Sequence, residues 1–289
     1  FLNCSYLILV DKKNNINYVI NSYMYIHNFD PVLIDFGFVE IRWYSLSYIF
    51  GILIGWWFGK KILSFRLKTQ NLPSGLENLD ELIPYIVISI IFGGRLGYII
   101  FYNLSYYLNN PIDIFKIWQG GMSFHGALIG VIIGTYLFTK NKKIKTLFFL
   151  DVIACVSPIG LFFGRIANFI NAELYGKPTN VFWSVVFPNV DKIPRHPSQL
   201  YEAFLEGVLL FIILLSFIYN KKIKTGFCSS FFLIFYGFFR ILAEQFREPD
   251  QQIGYLFNLF SLGSALSFIM IVFGVLILLT IKNNERIIK

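Results

Sequence analysis

Charge is scarce in this chain. Only 15% of its 289 residues are Asp, Glu, Lys or Arg, while 56% are hydrophobic and 19% aromatic. That balance excludes an ordinary soluble domain and makes a bilayer the natural solvent. Cysteine is nearly absent as well. Cys4, Cys155 and Cys228 are scattered without pairing or metal-ligand spacing, which excludes a disulfide framework and a zinc site and leaves each as a packing residue. No metal and no cofactor is expected. The only early apolar run, Tyr6 to Val10, is much too short for a secretory signal peptide. One half of the chain does not repeat the other and no low-complexity linker divides it, so it reads as one domain. Its first methionine in a suitable starting context is Met24. Residues 1 to 23 are therefore expected to be an extension outside the working fold, with 24 to 289 as the single membrane domain.

What is present is a series of long apolar runs. A spanning helix needs about 20 largely apolar residues, and seven stretches qualify, at roughly 43 to 62, 82 to 103, 122 to 139, 146 to 166, 199 to 219, 226 to 246 and 260 to 281. The formal charge of +8 could suggest nucleic acid, but its placement does not. Basic residues gather after the first run (Lys60, Lys61, Arg66, Lys68), the third (Lys140, Lys142, Lys143, Lys145) and the fifth (Lys221, Lys222, Lys224), and in the tail (Lys282, Arg286, Lys289). Cytoplasmic loops carry such an excess, so the N-terminus is expected outside and the C-terminus in the cytoplasm. The bilayer, not nucleic acid, is the implied partner. The expected fold is an all-α polytopic membrane protein with about seven spans. A small head is formed by the long outer loop, about 167 to 198, and an interfacial arm by Asp30 to Arg42.

Three arginines, Arg95, Arg165 and Arg240, fall inside predicted spans, whose cores hold no lysine. An arginine at the centre of a span costs on the order of 2.5 to 3.5 kcal/mol on insertion scales, so it normally faces a partner or a watered cavity. Arginine also stays charged when desolvated and forks onto phosphate or carboxylate oxygens. An anionic group within the bundle is therefore expected. For Arg95, a structural ion pair and a functional contact are equally good readings. In the sixth span Tyr236, Arg240, Glu244 and Arg247 share one helical face. Internal pairing there would still leave one positive charge in excess. Gln199, Glu202 and Glu206 share a face of the fifth span and read as structural counter-charges for the same cavity. His125 is the only histidine expected in a span and could take a proton near neutral pH. His196 is expected to order its loop, and His27 carries no special signal.

The stretch GRIANFINAELYG, Gly164 to Gly176, resembles the defining motif of prolipoprotein diacylglyceryl transferases. It is accompanied, in order, by RWY at Arg42 to Tyr44, GGRLGY at Gly93 to Tyr98, GGMSFHG at Gly120 to Gly126, RHPSQLYE at Arg195 to Glu202 and YGFFRILAEQFREPD at Tyr236 to Asp250. The resemblance runs from about Met24 to the seventh span. It implies a multi-pass protein of the bacterial inner membrane, with a periplasmic N-terminus and head. It implies that Arg165 and Arg240 contact a lipid phosphate, with Asn168, Glu173 and Gly176 shaping the site. Tyr44, Tyr236, Glu244 and Arg247 match further functional positions, and His125 matches a histidine proposed to assist an incoming thiol. Ser45 and Ala167 stand where the family usually has glycine. The stretch Lys177 to Pro194 is short, which implies a smaller head and altered precursor recognition.

The implied partners are phosphatidylglycerol and a prolipoprotein signal peptide bearing a lipobox cysteine. In the implied reaction that thiol attacks the glyceryl carbon carrying the phosphate, giving a thioether and releasing glycerol 1-phosphate. No enzyme nucleophile is needed. The sequence agrees, since it has no G-x-S-x-G elbow and no serine or cysteine suitably placed beside a histidine. Either His125 accepts the thiol proton or the arginine field lowers its pKa. Two other readings of the buried charges stand beside this one: a transporter or channel for an anionic solute, and a scaffold whose charges fix helix register. The transporter reading would expect paired broken helices or internal repeats. The scaffold would need no six separate polar motifs.

Overall fold

A computed structural model describes residues 4–5, 8–11, 16–19, 24–70, 75–117, 120–248, 255–256 and 260–287. The Pro249–Asp250 end of the last motif and Lys289 lie outside them. The body is helical: α1 Trp43–Thr69, α2 Glu77–Tyr102, the short α3 Leu104–Asn109, α4 Phe124–Lys142, α5 Thr146–Ile170, α6 Ser198–Glu202, α7 Leu210–Ile218, α8 Phe227–Glu244 and α9 Leu262–Ile287. A π-helical stretch, Ala203–Leu209, joins α6 to α7, so Ser198–Ile218 runs as one span. Among the described residues six segments are long and apolar enough to cross a membrane. The expected third span is the exception. It is the 19-residue helix α4, whose apolar run is diluted by His125, Thr135, Thr139 and its terminal lysines. The protein is an all-α polytopic membrane protein, with seven as an approximate count.

Boundaries also shift. The first helix continues to Thr69 rather than stopping near residue 62, so Lys60, Lys61, Arg66 and Lys68 ride on its last turns instead of forming a loop. Long basic side chains keep their charge in water while their stems cover apolar surface, and they complement the negative end of a helix. Arg66 does neither. It is 1% exposed and donates to the Ile223 carbonyl at 3.0 Å. Close by in the chain's packing, the buried Asp151 on α5 accepts from the Gly226 and Ser229 amides at 2.6 and 2.8 Å. A side chain of one span thus caps the start of α8, satisfying donors that a helix N-terminus leaves open.

Small residues set the helix spacing. Gly93 and Gly97 on α2 face Gly126 and Gly130 on α4, and a Cβ added at Gly97 would lie 2.5 Å from the Gly126 Cα. In a bilayer, where lipid tails are as apolar as leucine, such close backbone approach is a main source of helix association. Ser123 starts α4 by accepting from the Gly126 amide at 3.3 Å. Arg95, 4% exposed, lies between Gly93 and Gly97 in sequence on the opposite side of α2 and donates to the carbonyls of Asp113, Ile114, Lys116 and Gly120 at 2.7, 3.0, 3.2 and 2.6 Å. Of its two readings the structural one holds, although its partners are carbonyls rather than an acid. The guanidinium binds down the loop between α3 and α4.

The expected arm and head carry strands. Short strands also lie in the early stretch: β1 Cys4–Ser5, β2 Ile8–Asp11 and β3 Ile16–Val19. Further on come β4 Met24–Ile26, β5 Val32–Asp35, β6 Glu40–Arg42, β7 Val185–Val186 and β8 Pro194–Arg195. Strands β5 and β6 pair as a hairpin whose turn uses Gly37 at φ +81°. In the head, β4 pairs parallel with β7, which pairs antiparallel with β8. His27, 3% exposed, donates from Nε2 to the Phe169 carbonyl at 2.8 Å and so ties the arm to the end of α5. Burial holds its pKa below the usual value despite that bond.

The glycine seam yields the first prediction. Gly97→Val forces α2 away from α4, and overpacking of this kind costs about 1–3 kcal/mol. The variant is expected to melt at lower temperature than the parent in detergent, whereas valine at the half-exposed Gly164, where an added Cβ meets nothing within 4 Å, should leave the melting temperature nearly unchanged.

Candidate active site

The densest polar cluster lies between α5, the α6–π stretch and α8. Arg165 on α5 reaches Glu202 through Nη1 at 2.9 Å and Glu206 through Nη2 at 3.1 Å. Arg240 on α8 binds the other oxygen of Glu202 through Nη1, lies 3.6 Å from Glu206, and reaches Glu244 through Nη2 at 2.8 Å. Arg247 lies 3.6 Å from the same Glu244 oxygen. Glu202 and Glu206 are completely buried, and Arg165 keeps 13% of its side chain exposed. One turn separates the two glutamates, which places both carboxylates on the face turned to α5 and α8. Gln199, Glu202 and Glu206 are each 0% exposed, as expected of one buried face.

The sequence reading expects one cation in excess along α8. Here three guanidiniums meet three carboxylates, with Glu202 and Glu206 entering from a different helix as the counter-charges that their shared face led one to expect. The two arginines do converge on one shared carboxylate pair. Each binds it through terminal Nη groups, and among the described residues neither Nε has a hydrogen-bonding acceptor, so donors of the forks remain uncommitted.

A second cluster begins one turn further along α5. Asn168 donates to the Tyr44 hydroxyl and, at 3.4 Å, to Glu173 Oε2, to which Tyr44 also donates at 2.8 Å. Arg165 and Asn168 are three residues apart on the same helix, and Arg165 acts electrostatically on Tyr44, so the two clusters adjoin. After Ile170 the chain turns sharply, with Ala172 and Leu174 both at φ +54°. Gln199 holds that turn by donating to the Glu173 carbonyl at 2.6 Å, as Ser198 does to the Leu174 carbonyl at 2.9 Å. The RHPSQLYE motif thus braces the turn that presents Glu173.

Gly176 is a backbone joint. Its amide donates to the His196 carbonyl at 3.0 Å and it bridges to Arg247. A Cβ there would lie 2.7 Å from the Phe246 carbonyl oxygen. Arg195, with a guanidinium over the Tyr175 ring, donates to the Gly176 carbonyl at 3.0 Å, to Glu248 at 3.1 Å and to Asp191 at 2.6 Å. These bonds hold the Asp191 carboxyl below the usual carboxylate range. His196 packs against Tyr201 and Phe246, in keeping with a loop-ordering role.

His125 opens α4. It is 8% exposed, and among the described residues its Nε2 has no hydrogen-bond partner. Its neighbour Phe124 stacks on Tyr236 with ring centroids 4.3 Å apart. Tyr236 lies one turn before Arg240, and Arg240 and Glu244 are the charged groups that act electrostatically on His125. The imidazole therefore adjoins the Arg240–Glu244 side of the ion network, and the tyrosine–asparagine–glutamate set adjoins its Arg165 side. Arg165 lies near the last turn of α5 and Arg240 near the last turn of α8. Both helices begin beside the lysine-rich loops, so the cluster sits toward the opposite end of the bundle.

Residues 31–280 match the family model described as prolipoprotein diacylglyceryl transferase. The chain is 51% identical over 249 residues to the phosphatidylglycerol–prolipoprotein diacylglyceryl transferase of Rickettsia felis, covering 86% of this chain and 95% of that protein. It is 49% identical over 264 residues to the protein of the same description from Ehrlichia ruminantium (strain Welgevonden), covering 90% and 100% respectively.

The carboxylate pair can be tested for its structural part. Glu202→Ala leaves Arg165 and Arg240 short of their shared partner, and breaking a buried pair in this way costs about 3–5 kcal/mol. A large fall in melting temperature is expected for Glu202→Ala and a smaller one for Glu202→Gln, which keeps the shape and one acceptor. Equal, near-parental melts would show that the pair does not hold the helices.

Proposed function

The chain belongs to the prolipoprotein diacylglyceryl transferase family, and from this we propose that it transfers the diacylglyceryl group of phosphatidylglycerol to the lipobox cysteine of a prolipoprotein. The sulfur bonds to the glyceryl carbon as that carbon's bond to the phosphate oxygen breaks. The thiol loses its proton, and glycerol 1-phosphate leaves with the bonding pair. The observation that carries this reading is the convergence of Arg165 and Arg240 on one buried carboxylate pair.

Negative charge grows on the departing phosphate. Cations already fixed in a low-dielectric site stabilise that growth without reorganising, so they favour the transition state over the bound lipid. Glu202, Glu206 and Glu244 supply the fixing. Lipid phosphate would take the uncommitted guanidinium donors, beginning with Arg165, the more exposed of the two. Tyr44, Asn168 and Glu173 would orient the glyceryl headgroup beside it, and Gly176 would keep the head close over the cavity. Tyr236 and Glu244 would hold Arg240 in place, and Arg247 would hold the Gly176 joint. His125 would accept the thiol proton, since its Nε2 is buried beside this cluster with no partner among the described residues.

The placement of the lysines supports a cytoplasmic C-terminus and a site facing the outer leaflet of a bacterial inner membrane. The family match over residues 31–280 supports a single working unit within 24–289.

The test is purified protein in liposomes of phosphatidylglycerol offered a lipobox peptide, with mass spectrometry for the diacylglyceryl thioether. A transporter or scaffold would give no adduct. Arg240→Lys, whose ammonium cannot reproduce the fork, is expected to lose on the order of 100-fold in turnover. Near-parental turnover in a folded Arg240→Lys protein would end the phosphate-clamp role. His125→Asn is expected to fold and to be slowed by about 100-fold or more at neutral pH, with recovery as rising pH ionises the thiol. An unchanged neutral rate would leave thiol activation to the arginine field.

A further inference from the structure

Away from this site, at the lysine-rich end of the bundle, Trp57, Lys60, Lys61, Ser64, Phe65 and Lys68 line an open groove of about 490 Å³. Trp57, Lys61, Ser64 and Lys68 are spaced by four, three and four residues, so they form one stripe along α1. The charges in the groove are unequal. Lys60 is neutralised by Asp80 at 2.9 Å, and Asp80 also accepts from the Trp56 indole at 2.6 Å. Lys61 and Lys68 have no carboxylate partner among the described residues. Lys61 instead rests its ammonium 3.4 Å from the Trp57 ring centroid, a cation–aromatic arrangement that leaves the outer side of the charge open.

The depth of the groove follows from helix length. The 27 residues of α1 rise about 1.5 Å each and so span about 40 Å, while the hydrocarbon layer is about 30 Å thick. The final turns, from about Lys60 onward, emerge from the apolar layer on the side where the other lysine loops lie. Tryptophan settles at this boundary, and basic side chains here meet lipid phosphates. Phe65 gives the groove an apolar floor that suits the first carbons of an acyl chain.

We propose that the Trp57–Lys61–Ser64–Lys68 groove binds the phosphate of an anionic phospholipid in the leaflet opposite the one that supplies the reaction, as a site separate from the arginine cluster. Lys61 and Lys68 clasp the phosphate from either side of Ser64, and Trp57 fixes Lys61.

The probe is phosphatidic acid, compared with phosphatidylcholine, each added in equal amount to the purified protein in neutral detergent, with native mass spectrometry measuring retained lipid. Lipid held at Arg165 and Arg240 is common to all variants and cancels in the comparison. The parent is expected to retain phosphatidic acid in preference to phosphatidylcholine. The double variant Lys61→Gln, Lys68→Gln should weaken that extra retention by on the order of tenfold while transferase turnover stays at the parental level. A control double variant, Lys116→Gln with Lys192→Gln, removes equal charge elsewhere and should retain lipid like the parent. Parental retention by the Lys61, Lys68 variant would overturn the proposal, as would an equal loss in the control or equal retention of phosphatidylcholine. Displacement of phosphatidic acid by millimolar sodium phosphate would also overturn it, since the groove would then be a free-phosphate site.

Discussion

A guanidinium buried among apolar helices must bring its counter-charge with it. Desolvating a single arginine in a span is costly, and removing one partner of a desolvated pair costs more than the pair contributes. In this protein the requirement is met by a network that no single helix could supply. Arg165 comes from α5, Arg240 and Glu244 from α8, and Glu202 and Glu206 from the span between them in sequence. Three spans are thereby fixed in one relative position. The same bonds that hold the bundle also hold two cations at a defined spacing with donors to spare. On the proposed function, stability and catalytic preorganisation have one origin here.

The surrounding structure protects that arrangement at both ends. Toward the head, Gln199 and Ser198 pin the turn after α5, and Arg195 gathers Gly176, Asp191 and Glu248 into one bracket. At the other end, Asp151 caps α8 from α5 and Arg66 holds the Ile223 carbonyl. Helix α5 takes part in both. A rotation of α5 or α8 that would separate Arg165 from Arg240 would therefore break bonds at both ends of the bundle.

Much of this was legible in the residues. The apolar runs marked the helices, and the arginines inside them pointed to an anionic partner. The helical spacing of Gln199, Glu202 and Glu206 put two carboxylates on one face. The motifs beginning at Gly164 and Arg195 pointed to the family. Other features were not legible. Arg95 carries the same intramembrane signal as Arg165, yet it serves a loop of carbonyls, and nothing in its neighbours' identities separates the two. Asp151 stands in an apolar helix and has a cap as its partner, 75 residues away.

Composition and periodicity determined the solvent, the class of fold and the presence of charges inside the spans, because hydropathy and helical spacing are properties of neighbouring residues along the chain. Which charge meets which was decided only when the helices packed. An ion pair between spans depends on the rotation and depth of each helix, and these follow from backbone contacts such as Gly97 against Gly126 and from the bonds that anchor the loops. Residues far apart in sequence acquire their roles there, through distances that no local pattern encodes.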